Sequence, residues 1–181
     1  PELVTATLQI LDSHFPMALA WGPDLITIYN DAFRPILGNK DEALGRPFSE
    51  VWEEAWDDLE PIADKALAGQ ATFIENHPLE ILRSDEPETA YFTFCYSPLR
   101  LSDGTVAGFL NTVMETTQTV QTQADSKLVG EELAHRLKNS LAIVQAIASQ
   151  TLRHHAEPEA LDAFEKRLDA LAHAHTVLVA Q

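Results

Sequence analysis

The 181-residue chain predicts an α+β domain followed by an all-α helical hairpin, and three observations carry that reading. The hydrophobic pattern runs as two short strands, several short helices and then three strands, which describes a five-stranded antiparallel sheet with helices on one side. Beyond Thr116 apolar residues recur at three- and four-residue steps in two long stretches, the pattern of two helices joined by a short turn. Charge divides at the same place: 20 acids face 6 bases from Pro1 to Glu115, against 8 and 6 from there to Gln181.

The bulk composition excludes several classes. A hydrophobic share of 45% is enough for a packed core and too high for a disordered chain. A net charge of −16 argues against nucleic acid as a partner, because a polyanion is repelled. Cys95 is the one cysteine, so no intrachain disulfide forms and a reducing compartment fits. No run of about 18 apolar residues and no basic-then-apolar leader is present. The expectation is a cytoplasmic protein with no membrane segment in this stretch. Pro1 in place of Met is expected of a processed or excised chain.

Taken in order, Leu3–Leu11 is a short leading helix. Met17–Trp21 and Leu25–Tyr29 are strands, and Gly22-Pro23-Asp24 between them is turn chemistry. Asn30 or Asp31 caps a helical turn over Ala32–Leu37. Phe48–Trp52 and Trp56–Ala68 are helical, with Phe48, Val51, Trp52, Leu59, Ile62, Ala63 and Ala66 at helical spacing and Gly69 as the stop. From Ala71 the period becomes two, Tyr91–Tyr96 is rich in aromatic residues, Ser102-Asp103-Gly104 marks a hairpin turn and Thr105–Met114 is the last strand.

This order resembles the PAS domain, a sensory module. Tyr29-Asn30-Asp31-Ala32-Phe33 is similar to the segment after the second PAS strand, and Leu44-Gly45-Arg46-Pro47 to the loop after its short helix. Glu115-Thr116-Thr117 resembles the acidic-then-hydroxyl signature that closes the domain and couples it to an output helix. The resemblance covers residues 15–117, leaving 1–14 as an N-terminal helix. It names no ligand. The flavin-binding light-sensing branch uses a reactive cysteine in an Asn-Cys-Arg-type helix, whereas Cys95 falls in a strand, so flavin–cysteine photochemistry is not expected. His77 as a haem ligand is weighed against a surface or hydrogen-bonded histidine, and the plainer role is preferred. For Trp21, Trp52 and Trp56, core packing is preferred over lining a cavity.

Residues 118–130 read as a helical connector, with Val120, Ala124 and Leu128 at four-residue steps and Gly130 softening its end. In the next helix Leu133, Leu137, Leu141, Val144, Ala148 and Leu152 fall within one stripe about 100° wide. His135 lies about 150° from the middle of that stripe, with Asn139 one turn on. Alone, this is an exposed surface histidine. His135-Arg136-Leu137-Lys138-Asn139 followed by Leu141-Ala142-Ile143-Val144-Gln145, however, resembles the phosphoacceptor box of the HWE family of bacterial sensor histidine kinases. Arg167-Leu168-Asp169-Ala170-Leu171 and Ala174-His175 resemble the family's second helix.

The resemblance implies that residues 131–181 form a dimerisation and histidine phosphotransfer hairpin, two copies of which close a four-helix bundle. His135 is then the phosphoacceptor, a neutral imidazole attacking the γ-phosphoryl of ATP. Arg136 and Lys138 soften phosphate charge, or are solvated surface bases. Arg136 stands where many sensor kinases carry an acid, so Glu131 or Glu132 is the alternative for orienting the ring. Asn139 positions a water for dephosphorylating a response regulator, or is a plain surface asparagine. A four-histidine metal site is not expected, because His175 sits at the level of His135 rather than of His154 and His155. His154, His155 and His173 read as surface residues.

No glycine-rich phosphate loop precedes Gln181. The ATP-binding domain, with its Mg and ATP, is expected to follow in a longer parent, and these residues are not expected to autophosphorylate alone. The competing readings are a free histidine phosphotransfer protein and a non-enzymatic dimeric scaffold driven by the PAS domain.

Overall fold

The structure, a computed structural model, describes residues 1–40, 43–82, 87–152 and 158–179. The chain divides into two compact units, Pro1–Val120 and Gln121–Gln181.

The first unit is a five-stranded antiparallel sheet of order β2-β1-β5-β4-β3. Its strands are β1 (Met17–Trp21), β2 (Ile26–Tyr29), β3 (Thr72–Ile81), β4 (Glu88–Arg100) and β5 (Val106–Glu115). Helices α2 (Arg34–Leu37), α3 (Phe48–Val51) and α4 (Trp56–Leu67) lie between β2 and β3 in the chain, with 3-10 turns at Asp31–Phe33 and Glu53–Ala55. The helix and hairpin chemistry read from the residues is visible bond by bond. Leu59, Ile62, Ala63 and Ala66 are the buried stripe of α4. Gly69, at φ +86°, ends that helix in a Schellman motif: Gly69 N–H donates to Ala66 O and Gln70 N–H to Lys65 O. In the β4–β5 turn, Gly104 N–H donates to Leu101 O and Thr105 N–H to the Asp103 carboxylate, which holds that acid below its usual range.

Alternation along the strands decides which face is core. Ala18, Ala20, Phe92, Phe94, Tyr96, Phe109 and Val113 point inward and meet Phe33, Phe48, Trp52 and the buried face of α4. Phe48 is central to this layer, edge-on to Phe109 at 5.4 Å and to Tyr96 at 6.1 Å, while Tyr96 and Phe109 stack at 4.5 Å. Leu19 is fully buried but lies outside this core. Helix α1 (Glu2–Leu11) packs on β1 and β2 and buries Ile10, so it covers the other face of the sheet at that edge.

Asn30 holds this corner together. It is 2% exposed; its Oδ1 accepts from Met17 N–H and Phe33 N–H, and its amide donates to the carbonyls of Ile10, Ser13 and Phe15. The expected cap is therefore Asn30 rather than Asp31, and it also ties α1 to the sheet.

Strands β3 and β4 run longer than the alternation predicts, because cross-strand pairing continues to Ile81–Glu88 at one end of β4 and to Arg100–Val106 at the other. A bulge lies in β3 between Ile74 and His77, where Asn76 takes φ +48° and its N–H donates to Thr93 Oγ1. The bulge turns His77 to the core side opposite Phe92. His77 is thus half-buried against the Phe94 ring, and its Nε2 meets no partner among the described residues, in place of the surface or hydrogen-bonded role expected of it.

The second unit contains most of α5 (Thr117–Leu152) and all of α6 (Pro158–Val179). The expected connector and histidine helix are one uninterrupted helix: Gly130 does not break α5, since an isolated glycine costs only about 1 kcal/mol against alanine. Ser149 Oγ donates to Glu165, joining α5 to α6. The half-buried face of α5 is Ala134, Leu137, Leu141, Gln145 and Ala148, facing half-buried Glu165, Leu168 and Ala172 on α6. Leu133 and Val144, expected in that stripe, are 58% and 46% exposed. At 100° per residue the half-buried face centres on Leu141, and Leu133 and Val144 fall about 80° and 60° to one side of it.

Candidate functional site

Two regions carry candidate functional side chains, one in each unit. In the first, the helices and sheet line a half-open chamber between Phe48, Trp52, Phe94, Tyr96, Asn111 and Val113. The open volume is about 20 Å³, which is room for a water-sized guest. Trp52 therefore both packs in the core and lines the chamber, whereas Trp21 and Trp56 do not line it. Burial drives the Tyr96 phenol far above its usual range.

Two buried polar atoms in this wall meet no hydrogen-bond partner among the described residues: Trp52 Nε1 and Asn111 Oδ1. Asn111 was not singled out by sequence reasoning. The available signal was a polar residue at an inward position, between Phe109 and Val113 in a strand of period two.

Beside the chamber, Lys40 Nζ donates to Val51 O at 2.6 Å and to Glu54, and sits 4.5 Å from the centroid of the Trp52 ring. Glu54 also accepts from Leu82 N–H. Burial raises the Glu54 carboxyl, but the hydrogen bonds from Lys40 and Leu82 outweigh it and leave the group below its usual range.

Cys95 lies away from the chamber. It pairs across the sheet with Phe73 and Thr112, on the face opposite Phe94 and Tyr96, and its thiol contacts Ser97 Oγ at 3.4 Å. At the end of the sheet, Thr116 N–H donates to Tyr91 O, Tyr91 N–H donates to Thr117 Oγ1, and the Thr117 hydroxyl donates to Glu115. The acidic-then-hydroxyl segment thus anchors the first turn of α5 near the start of β4.

On α5, His135 is exposed, as are Glu131, Arg136, Lys138 and Asn139. Glu131 and Asn139 stand one turn either side of His135 on the same side of the helix. Arg136 Nε donates to Glu132 at 2.6 Å, so those two side chains engage each other along a neighbouring side. With the helix turned 100° per residue, the half-buried face and the exposed apolar face of Val129, Leu133, Ile143, Val144 and Ile147 adjoin, and His135 clears both. His173 is exposed on α6; the backbone of His175 lies in α6, and its side chain, like His154 and His155, lies outside the described residues. Among the described residues no three His, Cys, Asp or Glu side chains gather to hold a metal, and no helix is long and apolar enough to cross a membrane.

Comparison with known proteins agrees with this division. Residues 14–121 match the PAS fold family and residues 132–181 match the HWE histidine kinase family. A blue-light-activated histidine kinase of Brucella anthropi is 43% identical over 77 residues, covering 42% of this chain and 16% of the relative. The protein of the same name from Brucella ovis is 45% identical over 71 residues, 39% of this chain and 14% of that one. The match therefore spans about one sixth of these relatives' length. Among solved structures, an RNA-binding light-oxygen-voltage receptor shares the fold with a TM-score of 0.52 and 21% identity, covering 74% of this chain and 38% of that one. The PAS domain of the fruit-fly ELK potassium channel does so with a TM-score of 0.50 and 14% identity, over 64% and 97%.

Proposed function

The chain belongs to the PAS fold family over residues 14–121 and to the HWE histidine kinase family over residues 132–181, and from that premise we propose that it is the sensor and phosphoacceptor portion of a two-component histidine kinase. Residues 1–14 are the leading helix, 15–117 the sensor, 118–130 the connector and 131–181 the phosphotransfer hairpin. The observation that carries the reading is the exposed His135, one turn from both Glu131 and Asn139 and clear of both apolar faces of α5.

A ring nitrogen of His135 attacks the γ-phosphorus of ATP; the N–P bond forms, the bond to the bridging oxygen breaks and ADP leaves. An aspartate oxygen of a response regulator then takes the phosphoryl group, the N–P bond breaks and the imidazole is restored. Arg136 and Lys138 offset phosphate charge. Glu132 is engaged by Arg136, which leaves ring orientation to Glu131. Asn139 positions the water that removes phosphate from the regulator. The nucleotide and its Mg are held by an ATP-binding domain elsewhere in the full-length protein, and this portion alone is inactive. On this reading the chain works in the cytoplasm, alongside the ATP and the response regulator it requires.

The exposed apolar face of α5 supports a homodimer, in which two hairpins close a four-helix bundle. A signal in the sensor shifts the bundle between two packings, transmitted through the first turn of α5.

Blue-light activation, which the relatives' names record, does not carry over on this reading. Cys95 lies in β4 on the face of the sheet away from the chamber, so its thiol is not placed to form an adduct with a flavin held there.

The experiment is radiolabel transfer from γ-labelled ATP in the full-length kinase. Label that is stable to base and labile to acid, and that disappears in His135→Ala, is expected. Label that survives His135→Ala sinks the assignment. A bound flavin with a light-induced adduct would overturn the reading of the sensor.

A further inference from the structure

The seam between α5 and α6 runs against its own hydrophobicity. On α5 the half-buried row includes Ala134, Gln145 and Ala148, while the bulkier Leu133, Val144 and Ile147 stay exposed beside it. On α6 Glu165, Leu168 and Ala172 are half-buried, while Phe164 and Leu171 are exposed. At 100° per residue the bulkier row is centred about 90° round α5 from the half-buried one, and about 80° round α6. Apolar burial alone favours rolling each helix by that angle, because Leu, Val, Ile and Phe take more carbon out of water than Ala, Gln and Glu.

A directional contact opposes that roll. Ser149 Oγ donates to the Glu165 carboxylate across the seam, and both side chains are half-buried. Apolar contact has no preferred direction, whereas a hydroxyl–carboxylate bond is charge-assisted and holds one geometry. Ser149 lies about 80° round α5 from Leu141, in the sense opposite to the bulkier row. In an antiparallel pair the bulkier rows of both helices then fall on one side of the seam, with Ser149 and Glu165 on the other. Rolling either helix to bury its bulkier row swings its end of the bond out of reach. Ser149 also stands within about 40° of His135 round α5, so the same roll re-aims the histidine.

We propose that the Ser149–Glu165 bond is a clasp that sets the rotation of α5 against α6, keeping the bulkier rows outward for a second copy of the chain and fixing the direction in which His135 points. The proposal rests on the reading of residues 131–181 as the phosphotransfer hairpin. It deepens that reading by naming the contact that decides between two packings.

The test is maleimide labelling of the 181-residue chain in dilute solution, in a Cys95→Ser background that removes the one native thiol. Two probes are compared. Gln145→Cys is half-buried against α6 and is carried outward by the roll, whereas Leu137→Cys stays in the seam in either rotation. With the clasp broken by Ser149→Ala or by Glu165→Ala, Gln145→Cys should react about fivefold faster, the worth of one net hydrogen bond. Leu137→Cys should keep its rate. The two changes combined should do no more than either alone, since both remove the same bond. Glu165→Gln, whose carbonyl oxygen still accepts from Ser149, should restore the slow rate. Three results overturn the proposal: a Gln145→Cys rate that neither alanine variant moves, an equal rise at Leu137→Cys, which reports loosening rather than rotation, or a Glu165→Gln chain as fast as Glu165→Ala. Labelling involves neither ATP nor phosphorylation, so failure here is distinct from failure of the kinase reading.

Discussion

Replacing Asn30 with alanine should cost the first unit more than any single change on its surface. The side chain is 2% exposed and makes five hydrogen bonds, to Met17, Phe33, Ile10, Ser13 and Phe15. Removing the cap on Phe33 N–H alone costs about 1 kcal/mol. The N–H of Met17 then loses its partner, at about 1–3 kcal/mol, while the Ile10 carbonyl keeps the bond from Ser13 N–H. The total is about 2–4 kcal/mol, a large part of the 5–15 kcal/mol typical of a domain. The melting temperature should fall by roughly 10–20 °C. Urea unfolding followed by circular dichroism measures the loss, and hydrogen exchange over residues 2–11 locates it. Asn30→Asp adds a second check. It keeps the acceptors for Met17 and Phe33 but sets a carboxylate against three carbonyl oxygens. At neutral pH it should be at least as damaging as alanine, and it should recover as acid protonates it. A loss below about 1 kcal/mol, or unchanged exchange in α1, would refute the view that Asn30 ties that helix to the sheet.

Three further expectations follow from the same structure. Gly108→Ala should destabilise the sheet by ~3 kcal/mol in the same urea assay, because an added Cβ would stand 2.0 Å from Ala20 O across the β1–β5 pair; Gly22→Ala, with open space around its Cβ, should not show that clash. Glu54→Gln should change the acid limb of stability. The Glu54 carboxyl titrates below its reference value of 4.5 in the folded chain, so its contribution is present above that pH and is lost as pH falls through the folded value; the gap between wild type and Glu54→Gln should close there, as read by melting at a series of pH values. Leu133→Lys with Ile147→Lys, both on the exposed apolar face of α5, should turn a dimer into monomers in analytical ultracentrifugation, since each buried apolar side chain is worth about 1.5–3 kcal/mol. A dimer that withstands both changes would place the interface elsewhere.

Much of this molecule is legible in the chain alone because the signals are local. Hydrophobic period, turn chemistry at Gly22 and Gly104 and the stop at Gly69 depend on residues close in sequence, so strand and helix positions emerge within a few residues. The box around His135 is likewise a contiguous string, which is why the histidine could be singled out and matched to a family. What the chain concealed depends on which faces meet. The wall of the chamber joins Trp52 to Asn111, far apart in sequence, and only the register of β5 turns that asparagine inward. The bulge at Ile74–His77 inverts the face of a histidine that simple alternation would set outside. Asn30 reads as a cap, but its grip on Ile10 and Ser13 requires α1 to fold back over the sheet. On α5 the apolar residues are evident in one dimension, yet only packing against α6 separates the inner face at Leu137 and Leu141 from the outer one at Leu133 and Ile147. Local propensity and pattern depend on neighbours along the chain, whereas burial, partner choice and the orphaned polar atoms depend on neighbours in space.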